Sequence, residues 1–159
     1  MVRNNEFTLI AITDSNYPLI ENLVDEAQRE GFEFVQRTID DWDSGTNRFS
    51  RIGEGLWGLV SGTELVGIGG LNVDPYVKNA DTGRVRHLYI RKAYRRKGCA
   101  TLLMRTIIGR AELYFRTLRL FTANPAAGAF YEQLGFEHLP GYKVSHVLSF
   151  DRSVRHAEP

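Results

Sequence analysis

The strongest constraint on the fold lies between residues 84 and 103, where a strand, a basic loop and a helix follow one another. Apolar and β-branched positions predict a strand over Arg84–Ile90, and a long helical pattern over Cys99–Arg116 follows it. Seven lysines and arginines occur between positions 84 and 97, with no Asp or Glu among them. The chain must therefore join a strand to a helix through a cationic loop.

This loop has the properties of a phosphate-binding site. The first turn of a helix presents unpaired backbone N–H groups and the positive end of the helix dipole. Cations beside those donors favour an anion at the same place. Gly98 and Ala100 have little or no side chain, which allows a ligand to approach the backbone closely. We therefore expect a phosphate or pyrophosphate group between the end of the strand and the start of the helix.

The remaining elements predict a mixed sheet. A strand–helix–strand crossover over Arg84–Thr122 implies two parallel strands, whereas the shorter connections before it imply antiparallel neighbours. The expected fold is α/β (α+β), with a mainly antiparallel sheet and helices on its faces. At 159 residues the chain suits one domain, with its core at about residues 7–150. Further strands are predicted at 7–13, 56–60, 65–73, 118–122, 136–139 and 144–150, and further helices at 18–30, 35–42 and 124–134.

Charge and cysteine content narrow the cellular setting. The net charge is only +1, so the basic loop is a local feature and a nucleic-acid-binding surface is not expected. Cys99 is the only cysteine, which favours a reducing compartment. No apolar run approaches the ~20 residues that span a bilayer, and residues 1–6 lack the core of a signal peptide. We expect a cytoplasmic protein without a membrane partner, with a flexible tail over 151–159.

Three further patterns require interpretation. The first third of the chain is acidic, and a solvated helix face is favoured over one pole of an active site. The segment Gly53–Gly58 matches G-x-G-x-x-G, but a strand follows it and no strand of any length precedes it. A dinucleotide site requires the opposite order, so this match is rejected. Phe32 and Phe34 are either core residues or the wall of a small-ligand site.

Two motifs together resemble one family. The segment Leu88–Ala100 is similar to the acetyl-CoA-binding motif of GNAT-type N-acetyltransferases, Gln/Arg-x-x-Gly-x-Gly/Ala, with Arg95, Gly98 and Ala100 at its fixed positions. The segment Asn124–Phe136 resembles a second motif, in which an Asn and small residues precede Phe-Tyr-x-x-x-Gly-Phe. The two motifs occur in the family's order, with a strand between them.

The resemblance implies a fold and a cosubstrate. The family's two central parallel strands splay apart to admit the pantetheine arm of coenzyme A. Here the backbone of Leu88 and Ile90 would pair with that arm, and the backbone of 95–101 would hold the pyrophosphate. No metal is expected. The implied coenzyme-binding residues are Leu88, Tyr89, Ile90, Arg95, Arg96, Lys97, Gly98, Cys99, Ala100, Thr101 and Asn124.

The resemblance also implies a catalytic residue. Tyr131 matches the family's tyrosine acid, which protonates the departing thiolate. A strand N–H near Leu88 or Tyr89 would stabilise the oxyanion. Cys99 stands at a variable motif position and is not expected to be a nucleophile.

The general base is left open. Some relatives carry a glutamate eleven positions before the motif arginine, where this chain has Arg84. Glu33, Asp74, Asp81 and His87 remain candidates, as does water.

The expected function is transfer of an acetyl group from acetyl-CoA to a primary amine of a small molecule or protein, by direct attack. The alternative is a non-catalytic acyl-CoA-binding module, suggested by the missing carboxylate at Arg84. Acid-rich early helices favour a cationic acceptor, whereas Arg84 and Arg86 favour an acidic one. The acceptor, the use of acyl groups other than acetyl, and a homodimer all stay open.

Overall fold

The computed structural model describes residues 6–150, and the tail predicted at 151–159 lies outside them. A 3₁₀ turn at Tyr17–Ile20 leads into the first helix. The four helices are α1 (Glu21–Arg29), α2 (Phe34–Ser44), α3 (Cys99–Tyr114) and α4 (Pro125–Gln133). The strands are β1 (Thr8–Ala11), β2 (Gly55–Ser61), β3 (Glu64–Val73), β4 (Thr82–Ile90), β5 (Thr117–Leu120), β6 (Glu137–Gly141) and β7 (Val144–Ser149).

The seven strands form one sheet in the order β1-β2-β3-β4-β5-β7-β6. The β4–β5 pair is parallel and the other pairs are antiparallel. The predicted mixed, mainly antiparallel sheet is therefore confirmed. Gly55 is the first residue of β2, so a strand follows the start of the G-x-G-x-x-G match. This agrees with the reason for which the match is rejected as a dinucleotide site.

The two parallel strands stay paired over a short distance. Their register runs from Thr82 opposite Thr117 to Arg84 opposite Arg119. Beyond Arg84, β4 continues to Ile90 without β5 as a neighbour. The backbone groups on this edge of β4 are consequently not used by a strand ladder with β5, and the two strands leave a gap in the sheet.

A β-bulge interrupts β4 beside this gap. Ile68 is opposite Tyr89 and Gly70 is opposite Arg86, so His87 and Leu88 together face the single residue Gly69. His87 has φ of +60°, a left-handed conformation that is uncommon for a residue other than glycine. The sequence contains no glycine in the bulge that would have predicted it.

The bulge places two successive side chains on one face of the sheet. A Cβ on Gly70 would meet the Phe49 ring at 2.6 Å, so the side chain of Arg86, directly opposite, points to the same face. The His87 ring also contacts Phe49, at 6.2 Å between centroids. This is the face covered by α1 and α2, because Phe49 packs with residues of both helices.

The core lies on both faces of the sheet. Val85, Leu118 and Leu120 pack with α3 and α4, whereas Leu56 and Ile68 pack with α1 and α2. Helices on both faces were predicted, and this is confirmed. In the part of the chain that the structure describes, no helix combines the length and apolar character needed to cross a bilayer.

Candidate active site

A cleft of about 800 Å³ opens where β4 and β5 separate. One wall is the unpaired edge of β4, and the other comprises the residues after β5 and the start of α4. Phe32, between α1 and α2, and Phe34, the first residue of α2, both line the cleft, as one of the two interpretations of these rings predicted. The cleft is adjacent to a second cavity of about 290 Å³ that Gly98 and Thr101 line.

Gly98 forms the entrance to this second cavity. It precedes the first residue of α3 and has φ of +85°, a left-handed conformation that glycine adopts without strain. A Cβ built on it has no neighbour within 4 Å, so the space above its backbone is open. Arg96 is also left-handed, with φ of +62°, and both Arg96 and Lys97 are exposed. The loop thus presents backbone donors and cations to an open volume.

The side chain of Arg95 is engaged within the protein. Its Nη1 lies 2.7 Å from Glu30 Oε1, its Nη2 donates to Glu30 Oε2 at 2.7 Å, and its Nε donates to the Ile90 carbonyl at 2.9 Å. This bidentate pair raises the pKa of Arg95 and lowers that of Glu30. The side chain therefore fixes the position of the loop, and its backbone is the part left for a ligand.

The acidic residues of α1 are partners of the basic loop. Glu26 accepts a hydrogen bond from the Lys92 N–H at 2.8 Å and lies 3.6 Å from Arg91 Nε. Tyr89 donates its hydroxyl to Glu26 and Glu30, and burial together with these carboxylates raises its pKa. The prediction that the acidic residues form a solvated helix face is therefore wrong for Glu26 and Glu30, because these two carboxylates lie against the basic loop.

Cys99 is buried at the start of α3. Burial raises the pKa of its thiol, which keeps the sulfur protonated at neutral pH. This agrees with the expectation that Cys99 is not a nucleophile.

Tyr131 lies on α4 in the wall of the cleft. Its ring packs against Phe130, Phe136 and His146, with centroid distances of 5.3, 5.8 and 6.4 Å. Burial raises the pKa of its phenol to about 12, so the hydroxyl is fully protonated at neutral pH. The phenol in the cleft wall therefore carries a proton that it can donate, and its raised pKa makes it a weaker acid than an exposed tyrosine.

Side-chain hydrogen bonds fix α4, and with it Tyr131. Asn124 caps the helix, because its Oδ1 accepts from the N–H groups of Ala126 at 2.9 Å and Ala127 at 3.4 Å. Its side chain also lines the cleft. His146 on β7 lies 2.9 Å from both Glu132 Oε2 and Ser145 Oγ. The sequence did not indicate this His146–Glu132 pair, which joins α4 to the sheet.

Of the four candidate bases, His87 lines the cleft and the other three do not. Asp74 is buried, with Oδ2 between Arg84 Nη1 at 3.4 Å and Arg119 Nε at 3.5 Å. Asp81 lies at the surface near Arg116, and Glu33 is exposed. The structure therefore does not bring these three carboxylates to the site.

His87 is a weak base in this position. Burial lowers its pKa to about 3, and the nearby charges of Arg86 and Arg37 act in the same direction. Its Nδ1 is buried and has no hydrogen-bond partner. The ring is neutral at physiological pH, and it packs at a tilt of 39° against Phe34, with 5.8 Å between the ring centroids.

Some cleft residues were not predicted. Arg37 lies on α2 one turn after Phe34, and Phe121 follows β5. Arg37 lies far from both motifs in sequence, so only the tertiary fold brings it to the cleft, whereas Phe121 lies three residues before Asn124, in the predicted strand that joins the two motifs. Among residues 6–150, no three His, Cys, Asp or Glu side chains are grouped as metal ligands.

Solved structures share this architecture. A protein from Exiguobacterium sp. 255-15 described as an acetyltransferase superimposes with a TM-score of 0.82 and 27% identity, over 96% of this chain and 99% of that one. Protein PH1933 from Pyrococcus horikoshii OT3 has a TM-score of 0.73 and 18% sequence identity, over 92% of this chain and 99% of that one. An acetyltransferase of the GNAT family from Staphylococcus aureus Mu50 has a TM-score of 0.67 and 16% sequence identity, over 89% of this chain and 96% of that one. No curated protein matches the chain significantly in sequence.

The splayed parallel pair, the glycine loop before α3 and these neighbours define an acetyltransferase fold. The model of the acetyltransferase (GNAT) family matches residues 18–136, about three quarters of the sequence. The chain belongs to the acetyltransferase (GNAT) family. The predicted resemblance is thereby confirmed.

Proposed function

We propose that the protein transfers an acetyl group from acetyl-CoA to the nitrogen of a primary amine. The observation that carries this proposal is the cleft between β4 and β5, which has a glycine loop at one end and the protonated phenol of Tyr131 in its wall. The family supports acyl transfer in general. The proposal adds that the acyl group is acetyl and that the acceptor is a primary amine.

The residues present fit the coenzyme. The free edge of β4 offers backbone groups of Leu88 and Ile90 to an amide-containing arm, because β5 has already diverged. The backbone of 95–101 would hold the pyrophosphate, with the charge of Arg96 in the lining of the second cavity. Lys97, the next residue, is exposed but does not line that cavity. Acetyl-CoA supplies an acetyl group activated as a thioester.

The chain's own groups account for the chemistry. The amine nitrogen forms a bond to the carbonyl carbon, the carbon–sulfur bond breaks, and the departing sulfur takes a proton from the Tyr131 hydroxyl. A backbone N–H freed by the His87–Leu88 bulge would donate to the developing oxyanion. The products are an amide and a thiol, and the proton from the amine replaces the one lost by Tyr131, by way of water.

No dedicated base is assigned. His87 lines the cleft, but a group of pKa about 3 is too acidic in its protonated form to draw a proton from an ammonium group. Glu30 also lines the cleft and is held by Arg95. The positive charges of Arg84 and Arg86 disfavour an ammonium group nearby, which promotes its deprotonation. We infer that the amine loses its proton to water before attack.

Two measurements test the proposal. Titration calorimetry with acetyl-CoA measures binding, and release of free thiol in the presence of an amine panel measures turnover. Absence of binding at millimolar coenzyme would contradict the proposal. Binding without thiol release from any amine would favour the alternative, a non-catalytic acyl-CoA-binding module.

Replacing Gly98 with alanine is expected to weaken binding of acetyl-CoA by about tenfold or more, equivalent to about 1.4 kcal/mol. The new methyl group would occupy the open space above the loop backbone and strain the left-handed conformation. Titration calorimetry provides the measurement.

Gly62→Ala is the matched control, because Gly62 has φ of +63° and open space around it, in the β2–β3 turn. It should lose a similar stability of about 1 kcal/mol and keep its affinity for the coenzyme. Equal weakening of coenzyme binding in both variants would show that strain, and not contact with the ligand, is responsible.

The pH dependence of kcat/KM should reflect the protonation of the acceptor amine and not that of His87 or Tyr131. The pKa of His87 is about 3 and that of Tyr131 is about 12, so neither group changes charge between pH 6 and 9. Of these three groups only the amine changes its protonation with pH, and kcat/KM should rise about tenfold per pH unit up to the pKa of the amine.

His87→Asn tests the same inference, because asparagine tolerates the left-handed φ of this position. The slope of the pH profile should be unchanged in this variant. Loss of the slope, or an inflection that disappears with the imidazole, would identify His87 as the base.

A further inference from the structure

The face of the cleft covered by α1 and α2 carries an excess of positive charge. The charged residues that line the cleft are four arginines and one glutamate, a surplus of three positive charges in a chain whose net charge is +1. Glu30 is bound to Arg95, at the end nearest the glycine loop. No carboxylate of the lining is left for the other three arginines, which are Arg37, Arg84 and Arg86.

Two of these arginines form no ion pair within the part of the chain that the structure describes. Arg84 shares Asp74 with Arg119, a single carboxylate between two guanidinium groups. Among the ion pairs of residues 6–150, none includes Arg37 or Arg86. Both arginines line the cleft together with His87, and the charges of both lower the pKa of that buried ring.

These arginines are on the opposite face of the sheet from the proposed coenzyme loop. Arg86 points to the Phe49 face, which α1 and α2 cover. Cys99, the first residue after Gly98, packs with Leu59, Val66 and Leu103 on the other face. The phosphates of a coenzyme at the loop are therefore not the counterions of Arg37 and Arg86. An acceptor that enters the cleft beside α1 and α2 can supply negative charge to these arginines instead.

The surroundings strengthen the effect of this charge. Phe32 and Phe34 line the same cleft as the arginines, with ring centroids 5.6 Å apart, and Phe34 contacts His87. Arg37 is exposed and Arg86 is half-buried, so this strengthening is larger at Arg86. Apolar walls lower the local dielectric, which increases both the attraction for an anion and the repulsion of a cation. Guanidinium groups also form paired hydrogen bonds to carboxylates and phosphates.

We propose that the acceptor is an amine that also carries a carboxylate or phosphate group, and that Arg37 and Arg86 bind this anionic group. The inference rests on the proposed acetyl transfer and names its acceptor class. It favours one of the two classes that the sequence left open and disfavours polyamines and other cationic amines.

The test uses pairs of amines that differ only in the anionic group. The pairs are 4-aminobutyrate with 4-aminobutanamide, phenylalanine with phenylalaninamide, and O-phosphoethanolamine with ethanolamine, and spermidine is the cationic probe. Thiol release gives kcat/KM for each. We expect the anionic member of at least one pair to be favoured by tenfold or more. The pair that responds distinguishes carboxylate from phosphate.

Variants assign the preference to the two arginines. In the Arg37→Gln/Arg86→Gln variant the ratio of kcat/KM within the responding pair should fall toward one. Arg86→Lys, which keeps the charge, should retain part of the ratio. Arg105→Gln, on the exposed surface of α3, should leave the ratio unchanged. Preference for the neutral members or spermidine throughout, or a ratio that survives the double substitution, would overturn the inference.

Failure of acetyl transfer is distinguishable from failure of this inference. If no amine is acetylated, the same pairs are titrated into the protein saturated with coenzyme A. Tighter binding of an anionic member, lost in the double variant, supports the anion site although the proposed transfer has failed. Equal binding of both members, or none, contradicts the anion site.

Discussion

Tyr131→Phe should lower the rate of acetyl transfer by about 100-fold, within the range that a general acid contributes. The substitution removes one hydroxyl and keeps the ring that packs against Phe130, Phe136 and His146. Without a proton donor the sulfur must leave as a thiolate. Affinity for acetyl-CoA should stay unchanged, because the loss affects the transition state and not the bound substrate.

The rate should be measured in a single turnover, since product release sets kcat in many enzymes and would hide a slower chemical step. Tyr114→Phe is the control, because Tyr114 is 45% exposed at the end of α3, away from the cleft. An unchanged single-turnover rate in Tyr131→Phe would exclude the phenol as the acid. It would leave the burial of Tyr131 as a packing feature of α4.

The sequence predicted those parts of the fold that rest on local chemistry. The strand, cationic loop and Gly98 were recognisable from spacing, and the observed left-handed Gly98 before α3 agrees with that prediction. The parallel pair followed from the crossover rule, and the structure has it between β4 and β5. Errors at the ends were small: β5 ends at Leu120 and not Thr122, and α3 ends at Tyr114 and not Arg116.

Features that depend on contacts distant in sequence were not predictable. The bulge at His87 contains no glycine and results from the register between β3 and β4. The pairing of Glu30 with Arg95 joins residues 65 positions apart. Arg37 lies on a helix with no motif. Such contacts determine which charged residues surround the proposed acceptor site. The sequence alone therefore left cationic and anionic acceptors both open.

Arg84, at the position where some relatives carry a glutamate, has a structural role in this protein. Arg84 is 7% exposed, and burial lowers its pKa, which the charge of Asp74 opposes. It lies opposite Arg119 at the last paired position before β4 and β5 diverge. Asp74 lies between the two guanidinium groups, so a single carboxylate holds the two strands together at the base of the cleft.

Asp74→Asn should therefore destabilise the protein by about 3–5 kcal/mol, because it leaves two largely buried cations without a counterion. Asp74 is 1% exposed, so water cannot replace the lost charge. The amide oxygen can still accept the Tyr76 N–H, but the amide NH2 then replaces Oδ2, so the variant removes both the charge and the acceptor that face Arg84 and Arg119. A loss of this size is a large fraction of the 5–15 kcal/mol typical of a domain, and denaturant unfolding measures it.

Two further variants show whether charge causes the loss. Asp81→Asn removes a carboxylate that pairs with Arg116 at the surface, where the side chains are 67% and 75% exposed, and should cost no more than about 0.5 kcal/mol. Adding Arg119→Met to Asp74→Asn removes one of the two unpaired cations. The double variant should be less destabilised than the sum of the single variants. Additive losses would show that Asp74 acts through packing, and that the charges of Arg84 and Arg119 do not require it.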